Sequence, residues 1–443
     1  MMALMHVAGS AHGGAMEMMS VRRGAIRLCV LMLSVWFGSA AARADAVLDW
    51  NTIAVNTAVA NKQNAFAQAR YAAIVQLAVF EAVNAITQDY QPYIGSITAP
   101  RDASAEAAAI EAAYKVLSAY FPDPTTQAAL LADRTSSLAL IPDSPAKTDG
   151  IATGDAAAAA MIALRANDHS SPAQFKVPGQ AVPGEWQATA SCPIVNGIAV
   201  GIAFQWQNIT PFGISSAGDY LLPPPPALTS KAYTRAYNEV MTVGSTDSTE
   251  RPTDRSDVSL FFAATSPTQA FNQAARQVAG EHWHSLTENA RDLALINMAI
   301  SDSLVASFLN KYHYNFWRPE TAIHGGDTDG NRKTEGDANW APFILTPCFP
   351  SYPSNHGSAS NGATAVMRRL YGEGGHSITL TNSAVPTIVL EYKSFKQITD
   401  DISDARVYGG IHFRTDQDAG AVLGQAVGAA VYKNNLHPMH DDD

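Results

Sequence analysis

The sequence predicts an all-α protein built as two packed helical bundles. Alanine-rich stretches with apolar residues at helical spacing fill both halves of the chain, and no regular ladder of alternating strands interrupts them. A long stretch over 167–228, rich in Pro, Gly and Trp, separates the two halves. With 443 residues the chain can bury a large core, and an apolar fraction of 47% excludes a disordered polymer.

Residues 1–44 read as a signal peptide rather than as fold. Arg22, Arg23 and Arg27 form a basic region, and 28–37 is an apolar run too short to span a bilayer comfortably. Ala42-Arg43-Ala44 is a small-x-small cleavage site before Asp45. An N-terminal membrane anchor is the competing reading. Met18 or Met19 offers a better start to this signal than Met1. The paired arginines raise a twin-arginine route, although Ala25 and Ile26 stand where Phe and Leu are usual. The expectation is a mature chain beginning near Asp45, exported to a periplasmic or extracellular space, with no continuous membrane span after the signal is removed.

The net charge is −11, and the signal holds four Arg and one Glu, so the mature chain is more acidic still. That argues against nucleic acid as a partner and makes any concentrated basic pocket conspicuous. Cys29 leaves with the signal. Cys192 and Cys348 remain, readable as one disulfide or as two buried thiols.

The N-terminal bundle and its connector occupy 45–228. Helices are expected over 54–84, 104–121, 125–140 and 149–166, with Ser104 as an N-cap and small side chains allowing close packing in the last. Residues 167–228 include Pro183, Trp186, Trp206 and Pro211 and end in prolines 223–226. They read as a functional wall or bridge with a stiff terminus. The C-terminal bundle, 229–436, is expected to carry helices over 230–243, 255–264, 268–281, 287–316, 357–371, 386–408 and 416–432. The polar tail 437–443 is expected to fray.

Three segments of this second bundle carry the chemistry. In the first, Lys311 and Arg318 are seven apart in an aromatic stretch closed by Pro319. On one helix they share a face, with backbones about 10 Å apart, and converge on one anion. Two unrelated surface cations are the plainer reading, but Phe316 and Trp317 favour burial, and a buried Arg needs an anionic partner. In the second, Pro353, Ser354 and Asn355 lead into a helix whose free N–H groups and positive dipole end suit an anion. Ser354 is equally an ordinary N-cap. His356 on the first turn suits proton transfer to a bound anion. In the third, Arg406 ends a helix, Gly409-Gly410 turns the chain, and His412 enters the next. Asp416, four residues on, either orients the His412 ring and leaves one nitrogen as nucleophile or ligand, or is a helix N-terminal acid. Lys311, Arg318, Arg406, a helix N-terminus and two histidines together describe an oxyanion site. His313, His324 and Tyr352 are near in sequence and read equally as site-lining or as packed and surface residues. No Cys/His spacing suggests zinc.

At these residues the chain resembles the superfamily of vanadium-dependent haloperoxidases and type 2 phosphatidic acid phosphatases. The signature Lys-x6-Arg-Pro, Pro-Ser-Gly-His and Ser-Arg-x5-His falls on Lys311, Arg318 and Pro319, on Pro353, Ser354 and His356, and on Arg406 and His412. The phrase from Asn315 to Pro319 resembles the haloperoxidase branch, and the likeness runs loosely upstream to about Pro183. Two positions depart: Asn355 replaces Gly, keeping the N–H, and Ala405 replaces Ser, deleting a hydroxyl.

The resemblance implies an all-α haloperoxidase-like fold and a vanadate cofactor. It implies His412 as the axial ligand, with Lys311, Arg318 and Arg406 neutralising equatorial oxygens. Ser354 and the Asn355 backbone would donate hydrogen bonds, His356 would handle protons, and Lys311 would polarise peroxide. The substrates implied are hydrogen peroxide with halide or a small organic acceptor. The same pocket holding phosphate would make an exported soluble acid phosphatase, with His412 forming a phosphohistidine and His356 protonating the leaving group of a phosphate monoester. A non-catalytic oxyanion-binding protein is a third reading, but it leaves His356 without a task.

Overall fold

Capping side chains, more than the apolar period, decide where this chain's helices begin. The computed structural model describes residues 45–282 and 284–439. The signal expected over 1–44 and the last four tail residues lie outside the described residues. The single helix expected over 54–84 is two. The Asp45 carboxylate accepts from the Val47 and Leu48 N–H groups and opens α1 (Ala46–Ala60), while Asn64 caps α2 (Ala65–Thr87) by accepting from Ala67 N at 2.9 Å. Ser104 caps α3 (Ala105–Tyr120). α4 (Pro124–Ala139) and α5 (Pro145–Arg165) each start on a proline, behind Asp123 and Ser144. Small residues bring α5 against α3: a Cβ on Gly154 would lie 2.4 Å from the Ala108 carbonyl oxygen.

The second bundle comprises α6 (Lys231–Val243), α7 (Thr253–Ala264), α8 (Pro267–His282), α9 (Leu286–Tyr314), α10 (Pro319–His324), α11 (Asn355–Tyr371), α12 (Phe395–Tyr408) and α13 (Arg414–Asn434). α9 is the shared axle, packing on α2 of the first bundle and on α11 and α13 of the second. By length and composition α2 and α9 could each cross a membrane. In the fold their apolar windows are 89% and 94% buried inside the protein.

Three expectations in this half are corrected. The helix expected over 287–316 ends early, at Tyr314, because Asn315 turns left-handed with φ 49°. Pro319 does not merely stop a helix: it is the first residue of α10, with Arg318 as N-cap. The helix expected over 386–408 is a strand followed by a shorter helix. In this order β1 (Ile194–Val195) and β2 (Ile198–Ala199) form a small hairpin in the first half. Then β3 (Gly374–Leu380) and β4 (Leu390–Ser394) pair antiparallel, and Ser394 with Gln397 makes a capping box that starts α12 at Phe395.

The connector 167–228 is irregular, as its composition indicates, but firmly held. Asp168 sits buried between Arg70 and Arg165. The fully buried Asp302 of α9 accepts from the backbone N–H groups of Phe212, Gly213 and Ile214 at 2.6–3.1 Å. A disulfide joins Cys192 to Cys348, with Cα atoms 5.3 Å apart, and so ties this wall to the loop before α11. The start of the tail is not frayed: Gln91 N donates to His437 O, and Met439 N to Asp89 O.

Candidate functional site

Four local breaks in regular structure bring the site together: the Asn315 turn after α9, the loop into α11, the end of α12, and the Gly410 turn (φ 78°) before α13. Lys311 lies in the last turn of α9 and is fully buried. Arg318 is beyond the Asn315 turn, so the two cations do not share a helix face. Both instead lie against Phe349, whose ring centroid is 5.3 Å from Lys311 Nζ and 5.0 Å from the Arg318 guanidinium carbon.

Lys311 donates all three of its Nζ–H bonds to main-chain carbonyls, those of Pro350 (2.9 Å), Ser351 (2.8 Å) and Pro353 (2.5 Å). In this arrangement it fixes the loop that delivers Ser354 and supplies charge rather than a free donor. Burial, with Arg318 and Arg406 nearby, pushes its ammonium well below the ordinary lysine value.

Arg318 donates from Nε to the Phe349 carbonyl and from Nη1 both to the Ile411 carbonyl and to Nε2 of His412, each at 2.9 Å. Its Nη2 is buried without a partner. Arg406, in the last turn of α12, donates from Nη1 to the Phe262 carbonyl of α7 at 3.0 Å, and its Nε is likewise unpartnered. Burial lowers both guanidinium values. A guanidinium keeps its proton in practice, so burial is relieved by an anion rather than by neutralisation.

His412 precedes α13 rather than entering it. Its Nδ1 faces Asp416 Oδ2 at 2.9 Å. Because the carboxylate accepts, Nδ1 carries the proton, and Nε2 keeps the lone pair that meets Arg318. Asp416 is also the third residue of α13 and accepts from Phe413 N, so both readings of this residue hold at one carboxylate. Burial raises Asp416 to about 6, against the lowering effect of the Ser351 hydroxyl and the Lys311 and Arg318 charges. Burial and the surrounding cations hold His412 well below the ordinary imidazole value.

Ser354 caps α11, its Oγ accepting from Gly357 N at 3.1 Å. Asn355 is the first residue of that helix and does not have the positive φ that Gly tolerates. Its side chain turns to α9, where Ser307 Oγ donates to Oδ1 at 2.7 Å. His356 follows, half-buried among otherwise closed neighbours. Burial, Arg406 and Lys311 lower it well below its usual value, with the Phe262 and Thr265 carbonyls acting in the other direction.

The Asp416 charge bears on Lys311 and Arg318 but not on Arg406, and among the described residues none of the three buried cations forms an ion pair within 4 Å. Two buried guanidinium donors lack acceptors, each an unmet group costing about 1–3 kcal/mol. A tetrahedral oxyanion supplies both the missing charge and the missing acceptors, so the residues fit vanadate and phosphate alike.

His313 and His324 do not join this cluster: both are exposed, and His324 Nε2 contacts the Trp340 carbonyl at 2.7 Å. Tyr352 is buried but packs on Tyr314 and donates its hydroxyl to the Pro223 carbonyl of the proline run. The sequence did not single out Ser351, Phe349, Phe262 or Ser307. The first two lie just outside the Pro-Ser-Asn-His segment. Phe262 contributes only a carbonyl, for which sequence has no signature.

Residues 292–441 match the family model described as the VCPO second helical-bundle domain. Among curated proteins, the vanadium chloroperoxidase of Curvularia inaequalis is 27% identical over 190 residues, 35% of this chain. That match spans only 30% of the Curvularia protein. A bacterial vanadium-dependent iodoperoxidase structure superposes with a TM-score of 0.74 at 24% identity, covering 90% of this chain and 97% of its own. An apo bacterial vanadium-dependent chloroperoxidase gives 0.64 at 16% identity, covering 82% and 92%. These structural likenesses establish a common fold.

Proposed function

We propose that this chain, whose residues 292–441 match the VCPO second helical-bundle domain, belongs to the haloperoxidase-like branch and is a vanadate-dependent haloperoxidase. In this reading it oxidises halide with hydrogen peroxide. The observation that carries the reading is His412: its Nε2 lone pair is held open by Asp416 amid three buried cations that lack a matching anion. Vanadate, when bound, supplies a Lewis-acidic centre at which peroxide is activated toward halide.

The chain's own residues do the rest. His412 would hold the group through Nε2, and Asp416, by accepting from Nδ1–H, keeps that nitrogen free of a proton. Arg318 and Arg406 would offer their unpartnered N–H groups as donors to it, and Lys311 adds charge while bracing the loop that carries Ser354. The α11 N-terminus with the Asn355 N–H adds its dipole. His356 is kept neutral near pH 7, so its ring nitrogen takes a proton from incoming peroxide and returns it on product release. Being half-buried, it reaches solvent while its neighbours exclude water.

Peroxide with halide or a small organic acceptor are the proposed substrates. The reading includes export, which is supported by the character of residues 1–44 and by the Cys192–Cys348 disulfide, a bond favoured in oxidising compartments. The test is reconstitution of the metal-free protein with vanadate, followed by parallel assays with peroxide plus bromide or iodide and with a phosphate monoester. Halide oxidation only after vanadate loading supports the proposal. Ester hydrolysis by metal-free protein, with no halide oxidation after loading, replaces it with the phosphatase reading.

A further inference from the structure

Ser351 is fully buried and lies outside the three motif segments, three residues before Ser354. It is anchored at three points. Its N–H donates to the Phe316 carbonyl at 2.8 Å, in the loop between α9 and α10. Its carbonyl accepts from Lys311 Nζ at 2.8 Å. Its hydroxyl donates to Asp416 Oδ2 at 2.5 Å and sits 3.3 Å from His412 Nδ1.

Asp416 is therefore held unevenly. Oδ2 collects the Ser351 hydroxyl, His412 Nδ1–H and Phe413 N–H, while Oδ1 is buried with no partner at all. A carboxylate turns readily about its last bond, so with the His412 contact alone either oxygen could face the ring. Concentrating donors on Oδ2 fixes one rotamer, and the imidazole plane follows it. Ser351 also links this pair to Lys311, through a single residue whose backbone is pinned at both its N–H and C=O.

We infer that Ser351 is a positioning residue, whose hydroxyl locks Asp416 and through it aims His412 Nε2 at the oxyanion. The consequence for binding rests on the proposed oxyanion site, whereas the hydrogen-bond network does not.

The experiment compares wild type, Ser351→Ala and Ser351→Thr as full-length metal-free protein, each checked for a cooperative thermal transition. Two readouts are taken: calorimetric binding of inorganic phosphate, and the proton resonance of His412 Nδ1–H. Ser351→Ala should bind phosphate about 10-fold more weakly, at the low end for loss of an outer-shell partner, and its Nδ1–H signal should broaden through exchange. Ser351→Thr keeps the hydroxyl and should restore the signal and most of the affinity. Unchanged affinity and an unchanged signal in Ser351→Ala overturn the inference. If wild type itself binds neither phosphate nor vanadate, the proposed function fails, and the His412 signal still decides whether Ser351 positions the ring.

Discussion

Arg318 donates a 2.9 Å hydrogen bond from Nη1 to Nε2 of His412, the ring nitrogen proposed to hold vanadium. A guanidinium has only donors, so this contact requires a lone pair on Nε2. Asp416 enforces the same state from the other side of the ring at 2.9 Å. Nε2 and the guanidinium are therefore poised together: an oxyanion bound here would replace the Arg318 contact at the His412 lone pair and would give the guanidinium oxygen acceptors in return.

An oxyanion should stabilise the metal-free protein. Saturating phosphate to 100 times its Kd should add about 2.7 kcal/mol, read as a rise in Tm or in the denaturant midpoint. Vanadate should compete with phosphate for the same donors. A flat Tm across a phosphate titration would mean that the buried cations are balanced in another way.

The stability contribution of His356 should depend on pH in a defined direction. Its folded value is held well below 6.5, mainly by burial. Between the folded and unfolded values the unfolded chain binds the extra proton, so stability falls as pH drops through the ordinary imidazole range and is fully present above it. Wild type and His356→Gln, compared by urea unfolding from pH 8 to 5, should differ in this sense. Added phosphate should flatten the difference, since an anion favours the charged ring. A difference that grows with acidity in favour of wild type contradicts the burial of a neutral His356.

Reducing the Cys192–Cys348 disulfide should destabilise the fold by about 2–5 kcal/mol, because the bond closes a long loop, with the two cysteines 156 residues apart. The effect should reach the site. Cys348 is followed at once by Phe349 and Pro350, whose carbonyls hold Arg318 and Lys311. Phosphate affinity measured with and without reductant, or on Cys192→Ser, checks this. Equal affinity with lowered Tm would confine the disulfide to stability.

Much of the site was legible because its charged residues are spaced by local structure. The helix start at Ser354, the turn at Gly409-Gly410, and the four-residue step from His412 to Asp416 are short-range features with known chemistry. What failed was continuity. Lys311 and Arg318 looked like one helix face because nothing in the apolar pattern marks Asn315 as left-handed. The start of α12 was read nine residues early because β4 is short and half-exposed, and only the Ser394–Gln397 capping box marks the change. Ser351 and the Phe262 carbonyl act through long-range contacts that the fold creates, and a single serine or a backbone oxygen carries no periodic signal. The all-α class and the two-bundle plan were readable because helical periodicity dominates both halves.

The central claim is that His412 is the protein's bond to vanadate while His356 only moves protons. It is tested most directly by vanadium-51 NMR of vanadate added to wild type, His412→Ala and His356→Ala, with halide oxidation measured on the same samples. Wild type should give a broadened bound signal and turnover. His412→Ala should show free vanadate alone and no activity. His356→Ala should keep the bound signal while losing about 10²–10⁴-fold in turnover, the usual contribution of a proton-transfer group. Bound vanadate in His412→Ala equal to wild type would contradict the account.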